Sequence, residues 1–202
     1  MSVEVAQRGL RERKRDETRR RIADAAAELA SAQGIVETTV EQIVERAGVG
    51  RATFFRYFES KELAIATGLS DVAIFVLVAT LRDLPPELGP LEAVRAAHRA
   101  LAVDFEERRE MYLEQALLCR SSAAMLAWTL HLYVDWEIAI AEAVRSRFGE
   151  DLADDDPRPR LVGAMSMAAA RLACDRWLES EGSGDLPALV ERQLAGLELG
   201  SP

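Results

Sequence analysis

The sequence has few of the residues that build disulfide frameworks and metal sites. Its 202 residues include only 2 cysteines and 2 histidines. Two cysteines that are far apart in the chain exclude a disulfide framework and a cysteine-rich zinc site. Cys119 and Cys174 each lie in an apolar helical context, where cysteine behaves as a small hydrophobic residue. A redox-sensing pair is the less favoured alternative for these thiols.

The motifs of common enzyme classes are also missing. The chain has no glycine-rich phosphate loop, no nucleophile elbow and no metal-binding motif. His131 and Asp135 are four residues apart on a predicted helix and could chelate a metal, but no third ligand is in register. We therefore expect no catalytic activity, no cofactor and no metal site.

A secretory signal and a membrane-spanning segment are likewise not evident. The N-terminus is charged rather than apolar, and no uncharged apolar run reaches about 18 residues. A composition of 49% hydrophobic and 29% charged residues is typical of a soluble globular protein with a well-filled core. We expect a cytoplasmic protein that has no membrane partner.

The net charge of −9 is unevenly distributed along the chain. Residues 1–61 carry 12 basic and 10 acidic side chains, whereas the remaining 141 residues carry 13 and 24. Between Arg8 and Arg21 there are 8 basic residues against 3 acidic ones. Cations near phosphates release counterions from a nucleic acid, so this local excess is compatible with DNA binding by an acidic protein. A solvated charge run is the alternative interpretation of the basic segment.

Residues 38–63 have the spacing of two short helices around a glycine turn, followed at once by a third helix. Thr39 is a good N-cap for the first of them. One apolar helical face is formed by Val40, Ile43, Val44 and Ala47. Gly48 can adopt a positive φ, as the turn of a helix-turn-helix requires.

The second helix of this segment has a clear inner and outer side. Phe54 and Phe58 are four residues apart and can pack on the preceding helix. The outer side then consists of Arg51, Ala52, Phe55 and Arg56. Such a surface is suited to the major groove of DNA. A small helical module without a nucleic-acid role is the alternative.

Residues 47–62 follow the pattern A-G-V-x-R-x-T-x-F-x-x-F-x-S-K-E and resemble the N-terminal domain of TetR-family transcriptional regulators. Gly34, Thr38 and Thr39 also stand where that family has a glycine and two threonines. The run F-F-R-Y-F at residues 54–58 further resembles regulators of the mycofactocin type and those that bind acyl-CoA-like ligands. The resemblance implies a regulator, most often a repressor, that binds double-stranded DNA at a palindromic operator.

Three positions depart from the family pattern. Phe55 stands where the family usually has a tyrosine, and it cannot donate a hydrogen bond to a phosphate. Tyr57 stands where histidine is common, and its phenol could restore that contact. Gly50 replaces a serine or threonine at the start of the recognition helix, which weakens the N-cap only slightly.

The resemblance implies a set of DNA-binding residues. Bases would be contacted by Arg51, Ala52, Thr53 and Phe55, and phosphates by Thr39, Tyr57 and Lys61, with Arg19, Gly50 and Arg56 on the same surface. We expect Lys61, in the first turn of the following helix, to be the firmest phosphate ligand. Residues 1–15 are expected to form a basic arm that is disordered without DNA and could enter the minor groove.

The sequence as a whole predicts an all-α protein with two domains. The first is a tri-helical helix-turn-helix domain at residues 16–61, and the second is a helical ligand-binding and dimerisation domain at residues 62–199. Proline and glycine residues, which often end helices, predict helix boundaries in this part of the chain. The predicted helices span residues 60–81, 91–108, 110–119, 123–148, 160–179 and 186–199. No strand-like alternation is present.

Two of these helices carry more apolar surface than one monomer core can cover. The resemblance implies that the last two long helices pair across a two-fold axis into a four-helix bundle, which makes the protein a homodimer. The predicted dimer interface consists of Leu161, Met165, Ala168, Leu172 and Leu189.

Aromatic and thioether side chains concentrate in the middle helices. As a set they can line a largely apolar cavity for a small hydrophobic or acyl-CoA-like effector, although each alone is more often a core residue. The candidate ligand-binding residues are Phe75, His98, Phe105, Met111, Tyr112, Met125, Trp128, His131, Trp136 and Met165, with Tyr133 beside them. The alternative is a C-terminal domain that responds to a protein partner, which a filled core would favour.

Overall fold

Helices account for all the regular secondary structure in the part of the chain that is described. The computed structural model describes residues 2–196, and the side chains of residues 13–196. Within these bounds it has nine α-helices, one short 3-10 helix and no strand, which confirms the predicted all-α class. The chain divides into two compact units, residues 1–72 and residues 73–202.

The first unit is built from α1 (Ser2–Gln33), α2 (Val40–Ala47), α3 (Arg51–Tyr57) and the first half of α4 (Lys61–Asp83). Its core contains fully buried apolar side chains from each of these helices, among them Ile22, Ala26, Ile43, Phe54 and Ile65. The predicted helix-turn-helix helices therefore form as expected, at the predicted residues.

A close approach of α1 and α4 moves the boundary of this unit beyond the predicted residue 61. A Cβ atom at Gly68 would lie 2.1 Å from the backbone oxygen of Ala23, so only glycine allows these two backbones to meet. Ala64, Ile65 and Leu69 are buried around this contact. The first three turns of α4 thus complete the core of the first unit, and the boundary lies at residue 72.

Residues 2–15, which were expected to form a disordered arm, lie at the start of α1, and their order without DNA stays a prediction. Helix α1 begins at Ser2 and continues without a break to Gln33. The segment contains no proline and is rich in arginine and glutamate, which are good helix formers. The role of this segment in the minor groove stays a prediction.

The second unit contains the remaining helices. They are α5 (Pro90–Leu101), α6 (Arg109–Leu118), α7 (Ala123–Val144), the 3-10 helix (Arg145–Phe148), α8 (Arg158–Glu179) and α9 (Leu186–Ala195). The larger of two buried clusters includes Leu81, Val94, Ile140, Val162 and Leu194, from α4, α5, α7, α8 and α9. The smaller cluster is centred on Trp177 and Phe105.

Two helices end earlier than their apolar patterns predict. Helix α5 ends at Leu101 rather than at residue 108, and a series of turns follows it. These turns place Phe105 edge-on against Trp177, with the ring centroids 5.8 Å apart. Helix α7 ends at Val144 and tightens into the 3-10 helix. The predicted end of the last helix, residue 199, lies outside the described residues.

By length and hydropathy α4 is long and apolar enough to cross a membrane. However, 44% of its most apolar stretch is buried inside the protein, where Ile65, Leu69, Leu77 and Leu81 belong to the cores of the two units. This burial is typical of a core helix rather than a membrane span.

One arginine closes the C-terminal end of α4. Arg147 donates hydrogen bonds to the backbone oxygens of Leu81 (2.7 Å), Leu84 (3.1 Å), Pro85 (2.6 Å) and Leu88 (3.2 Å). The last carbonyl groups of a helix have no partner within the helix, so a guanidinium group in this position satisfies them. Arg147 therefore holds together α4, the loop after it and the 3-10 helix.

We expect Arg147→Leu to lower the free energy of unfolding by about 2–4 kcal/mol, because four carbonyl oxygens lose a charged donor. Urea unfolding followed by far-ultraviolet circular dichroism measures this change. Arg145→Leu is the matched control, since the half-buried Arg145 donates to Ala153 and Asp154 rather than to the end of α4, and its loss should cost less than about 1 kcal/mol. Equal losses in the two variants would contradict the role of Arg147.

Candidate functional sites

The helix α2 is capped at both ends, which fixes where the turn begins. The backbone N–H of Gln42 donates to the hydroxyl of Thr39 (3.3 Å), and the backbone N–H of Thr39 donates to the side-chain oxygen of Gln42 (2.9 Å). This reciprocal pair is a capping box. At the other end Gly48 has a φ of 62°, a left-handed conformation that favours glycine.

The helix α3 has a buried side and an exposed side, and each side consists of the residues predicted for it. Phe54 and Phe58 are fully buried, and their ring centroids are 6.0 Å apart. The exposed residues are Arg51, Ala52, Phe55 and Arg56, with Thr53 and Tyr57 half-buried at the edges. The predicted inner and outer sides of the recognition helix are therefore confirmed.

Arg51 is held by two neighbours on this exposed surface. Its guanidinium forms an ion pair with Glu41 of α2 and lies 5.3 Å from the centre of the Phe55 ring. Both members of the ion pair are more than half exposed, so the pair contributes less than about 1 kcal/mol and is easily exchanged for another partner. Phe55 thus supports a cation where the family pattern has a tyrosine hydroxyl.

Arg19 and Arg56, two further predicted DNA-binding residues, also lie over aromatic rings. The guanidinium of Arg56 is 5.3 Å from the ring centre of Tyr57, and that of Arg19 is 5.0 Å from that of Phe58. Both arginines are exposed. Gly50 caps α3 without a side-chain hydrogen bond, as expected for glycine. The contacts of these residues with DNA stay predictions.

Lys61, the predicted phosphate ligand, makes hydrogen bonds within the first unit. Its ammonium donates to the backbone oxygens of Ile35 (3.1 Å), Val36 (2.9 Å) and Thr38 (2.6 Å). An ammonium group has three donors, and all three are used here. A lysine at the start of a helix is unfavourable for the helix dipole, and these carbonyl groups offset that cost. Lys61 therefore clamps the loop that positions Thr39, and its contact with a DNA phosphate stays a prediction.

A largely apolar cavity lies in the second unit. It has a volume of about 180 Å³ and is lined from α5, α6, α9 and the turns after α5, with one residue from α4. The lining residues are Ala73, His98, Arg99, Leu101, Ala102, Phe105, Tyr112, Leu186, Pro187, Val190 and Glu191. Most of the lining surface is therefore hydrocarbon, with four polar side chains among it.

His98 is the polar residue of the lining whose protonation state can be assigned. Its Nδ1 lies 2.9 Å from the backbone oxygen of Val94, which can only accept, so Nδ1 carries a proton. Burial lowers the pKa of His98 below its usual value, despite the opposite effects of the Val94 carbonyl and the Glu191 carboxylate. The ring is therefore neutral at pH 7, with Nδ1 as its donor.

The charged residues of the lining are paired with one another. Glu191 accepts hydrogen bonds from Arg95 (2.9 Å) and Arg99 (3.2 Å), all through its Oε1 atom. Its other oxygen, Oε2, is buried and has no hydrogen-bond partner among the described residues. Tyr112 stacks on Phe105 with the ring centroids 5.6 Å apart, and burial raises the pKa of its hydroxyl.

Three of the predicted ligand-binding residues, His98, Phe105 and Tyr112, meet in this cavity. The others do not line it. Trp136 and Tyr133 pack against the larger core cluster, and Phe75 and His131 are exposed on the surface. The half-buried residues outside the cavity are Met111, Met125, Trp128 and Met165. Helical spacing could not identify Glu191 and Val190, because α9 joins the cavity only through the tertiary fold.

An exposed apolar face runs along α7 and α8. On α7 it consists of Leu126, Leu130, Val134 and Ile138, at intervals of four residues. On α8 it consists of Leu161, Ala168 and Leu172, with Met165 half-buried between them. We call these residues the α7–α8 face. Leu189 does not belong to it, because Leu189 packs beside Trp177 in the smaller core cluster. The part of Leu189 in the dimer interface stays a prediction.

The two cysteines are free thiols in the second unit. Burial raises the pKa of both Cys119 and Cys174, so little thiolate is present at neutral pH. Among the described residues, no group of three or more His, Cys, Asp or Glu side chains could hold a metal ion.

Segments of both units match the sequence profiles of known protein families. Residues 22–63 match the profile of bacterial regulatory proteins of the tetR family, and residues 88–202 match that of the MftR C-terminal domain. The chain is 36% identical over 175 residues to the HTH-type transcriptional regulator TcmR of Streptomyces glaucescens, covering 84% of this chain and 76% of TcmR. It is 28% identical over 169 residues to MftR of Mycobacterium tuberculosis, named as a mycofactocin biosynthesis transcriptional regulator, covering 84% of each protein.

The fold is similar to that of a solved repressor. The crystal structure of Thermus thermophilus FadR, a TetR family transcriptional repressor in complex with lauroyl-CoA, superposes with a TM-score of 0.63 and 26% sequence identity. The similarity covers 91% of this chain and 97% of FadR. Both units of this chain therefore have counterparts in a known regulator.

We expect Lys61→Met to lower the free energy of unfolding by about 1–3 kcal/mol in the absence of DNA, because three backbone oxygens lose a charged donor. Urea unfolding followed by circular dichroism measures the change. Lys14→Met is the control, since Lys14 is the only other lysine and is exposed on α1. Unchanged stability together with weaker DNA binding would instead make Lys61 a phosphate ligand.

Proposed function

The chain belongs to the TetR family of DNA-binding transcriptional regulators, and we propose that it is a repressor that a small hydrophobic molecule releases from a palindromic operator. The observation that carries this proposal is the combination of an exposed reading surface on α3 with an apolar cavity in the second unit. DNA and effector would then bind to different parts of one chain.

On the DNA side, we propose that Arg51 reads a guanine in the major groove. A bidentate contact between arginine and guanine contributes about 1–3 kcal/mol of discrimination. The exposed ion pair with Glu41 contributes less than about 1 kcal/mol, so the exchange favours DNA. Phe55 supports the guanidinium in the free protein and can contact a thymine methyl group beside it.

For the assembly, we propose a homodimer that buries the α7–α8 face in a four-helix bundle. Its exposed leucine, valine and isoleucine side chains on α7 and α8 are between 41% and 50% accessible, which is a large apolar surface for a monomer. A two-fold dimer presents two recognition helices to successive major grooves and requires a two-fold symmetric operator. The proposed bundle uses α7 and α8 because the exposed apolar side chains lie on these two long helices.

The cavity supports a small-molecule effector over a protein partner. A protein partner would be favoured by a filled core, whereas the second unit contains an apolar cavity of about 180 Å³. FadR, the structural neighbour, is in complex with lauroyl-CoA, so an acyl chain is one candidate occupant. We infer that the effector is largely hydrophobic and that the regulator acts in the cytoplasm.

We propose that α4 couples the two activities. It is one continuous helix, in which Lys61 holds the loop before α2 and Ala73 lines the cavity. An effector that binds better to the conformer with low DNA affinity lowers operator binding by linkage. The effector therefore needs only to change the equilibrium position of α4.

The reading role of Arg51 is tested by selecting an operator from random DNA duplexes and measuring affinities by fluorescence anisotropy. We expect a two-fold symmetric site, and we expect Arg51→Ala to reduce discrimination at one base pair of each half-site by about 1–3 kcal/mol. Arg20→Ala is the control, because it removes an exposed charge of α1 and should weaken all duplexes equally. A site without symmetry, or equal losses on all duplexes for both variants, would contradict the proposal.

The dimer is tested by substituting Leu130→Glu and Leu172→Glu together. Two charges in each copy of the α7–α8 face should prevent association, so that mass measurement at micromolar concentration gives about 22.3 kDa rather than twice that value. The affinity for the selected operator should fall when the dimer no longer forms. Leu117→Glu is the control, since Leu117 is equally exposed but lies on α6. A wild-type monomer would overturn the proposed assembly.

A further inference from the structure

The cavity contains a hydrogen-bond acceptor that no described residue satisfies. Nδ1 of His98 donates to the backbone oxygen of Val94 four residues earlier in the same helix (2.9 Å). A neutral imidazole has one donor and one acceptor, so the proton on Nδ1 makes Nε2 the acceptor. His98 lines the cavity, and none of the described residues donates to Nε2. A molecule in the cavity meets an acceptor at this position.

The other polar groups of the lining do not compete for this role. Arg99 and Glu191 are paired with each other, and Arg95 adds a second partner to the carboxylate. A tyrosine hydroxyl can donate or accept, so Tyr112 accommodates either kind of ligand group. Oε2 of Glu191 is buried and unpaired, and it is also an acceptor. Besides the Tyr112 hydroxyl, two unpaired polar atoms of the lining, Nε2 of His98 and Oε2 of Glu191, therefore require donors.

The size and charge of the cavity restrict its occupant further. Its volume of about 180 Å³ is slightly larger than that of an engineered cavity of about 150 Å³ that binds benzene, and below the range of about 300–1,000 Å³ for drug-sized ligands. A carboxylate or phosphate group would have to leave water for a largely hydrocarbon lining that contains two unpaired acceptors, and the nearby guanidinium groups of Arg95 and Arg99 are already paired with Glu191. A compact, uncharged ligand avoids this cost.

We propose that the cavity binds a compact, neutral and mainly apolar effector that carries a hydroxyl group, and that this hydroxyl donates a hydrogen bond to Nε2 of His98. The inference rests on the proposed function, in which an occupant of the cavity is the effector, and names its chemical class. Phenols and small cyclic alcohols satisfy these requirements. His98 is then the residue that determines specificity, and Phe105, Tyr112 and Leu186 provide the apolar walls.

The test compares 4-ethylphenol with 4-ethylanisole, its methyl ether, by isothermal titration calorimetry. The two probes share the ring and the ethyl group, but only the phenol can donate. We expect the wild-type protein to bind the phenol about tenfold more tightly, because the ether leaves Nε2 without a partner. Equal affinities, or binding of neither probe, would overturn the inference.

Three variants assign the preference to His98. His98→Leu should reduce the preference for the phenol to less than about twofold, whereas His98→Gln retains an acceptor oxygen and should restore part of it. His131→Leu, which removes the other histidine from the exposed surface of α7, should keep the wild-type preference. Circular dichroism verifies that each variant is folded. A full preference in His98→Leu would contradict the assignment.

Release of the selected operator separates this inference from the proposed function. If lauroyl-CoA releases the operator while the phenol and the ether bind equally, the repressor function stands and the inference fails. If the phenol binds with the expected preference but leaves operator affinity unchanged, the cavity chemistry stands and effector control through this site fails. If the protein selects no operator from random duplexes, the proposed DNA-binding role fails, whatever the probes do.

Discussion

The burial of Phe54 and Phe58 fixes the rotation of α3 about its own axis, and the candidate DNA-binding surface depends on that rotation. Residues of a helix are about 100° apart, so two buried rings four positions apart leave Arg51 and Phe55 on the opposite side. The start of the neighbouring helix α2 is fixed by hydrogen bonds, because Thr39 and Gln42 form a capping box there.

A second buried contact organises the other unit. Phe105 packs edge-on against Trp177, and the chain leaves the helical path after Leu101 to make this contact. The same turns form one wall of the cavity, to which α9 adds Leu186 and Glu191. The aromatic packing that stabilises the unit therefore also forms part of the cavity, and the polar atoms that remain unpaired there define the chemistry of the effector that we propose.

Several site residues could not be assigned from the sequence, for identifiable physical reasons. Lys61 matches the family pattern, but whether its ammonium is free depends on carbonyl groups more than twenty residues earlier in the chain. Leu189 has the helical spacing of an interface residue, yet apolar spacing alone does not distinguish a core face from an exposed one. Nothing in the sequence marked Glu191 as a cavity residue, because a single glutamate on an amphipathic helix is usually solvated.

The sequence by itself determined the all-α class, the helix-turn-helix and the two sides of α3, because helical period, capping residues and a glycine turn are local properties. Only the tertiary structure decided the early end of α5, the position of the first unit's boundary within α4, and which aromatic residues line a cavity. These features depend on contacts between residues that are distant in the chain, such as Gly68 with Ala23 and Phe105 with Trp177. Local sequence patterns do not indicate which distant residues will be in contact in the folded protein.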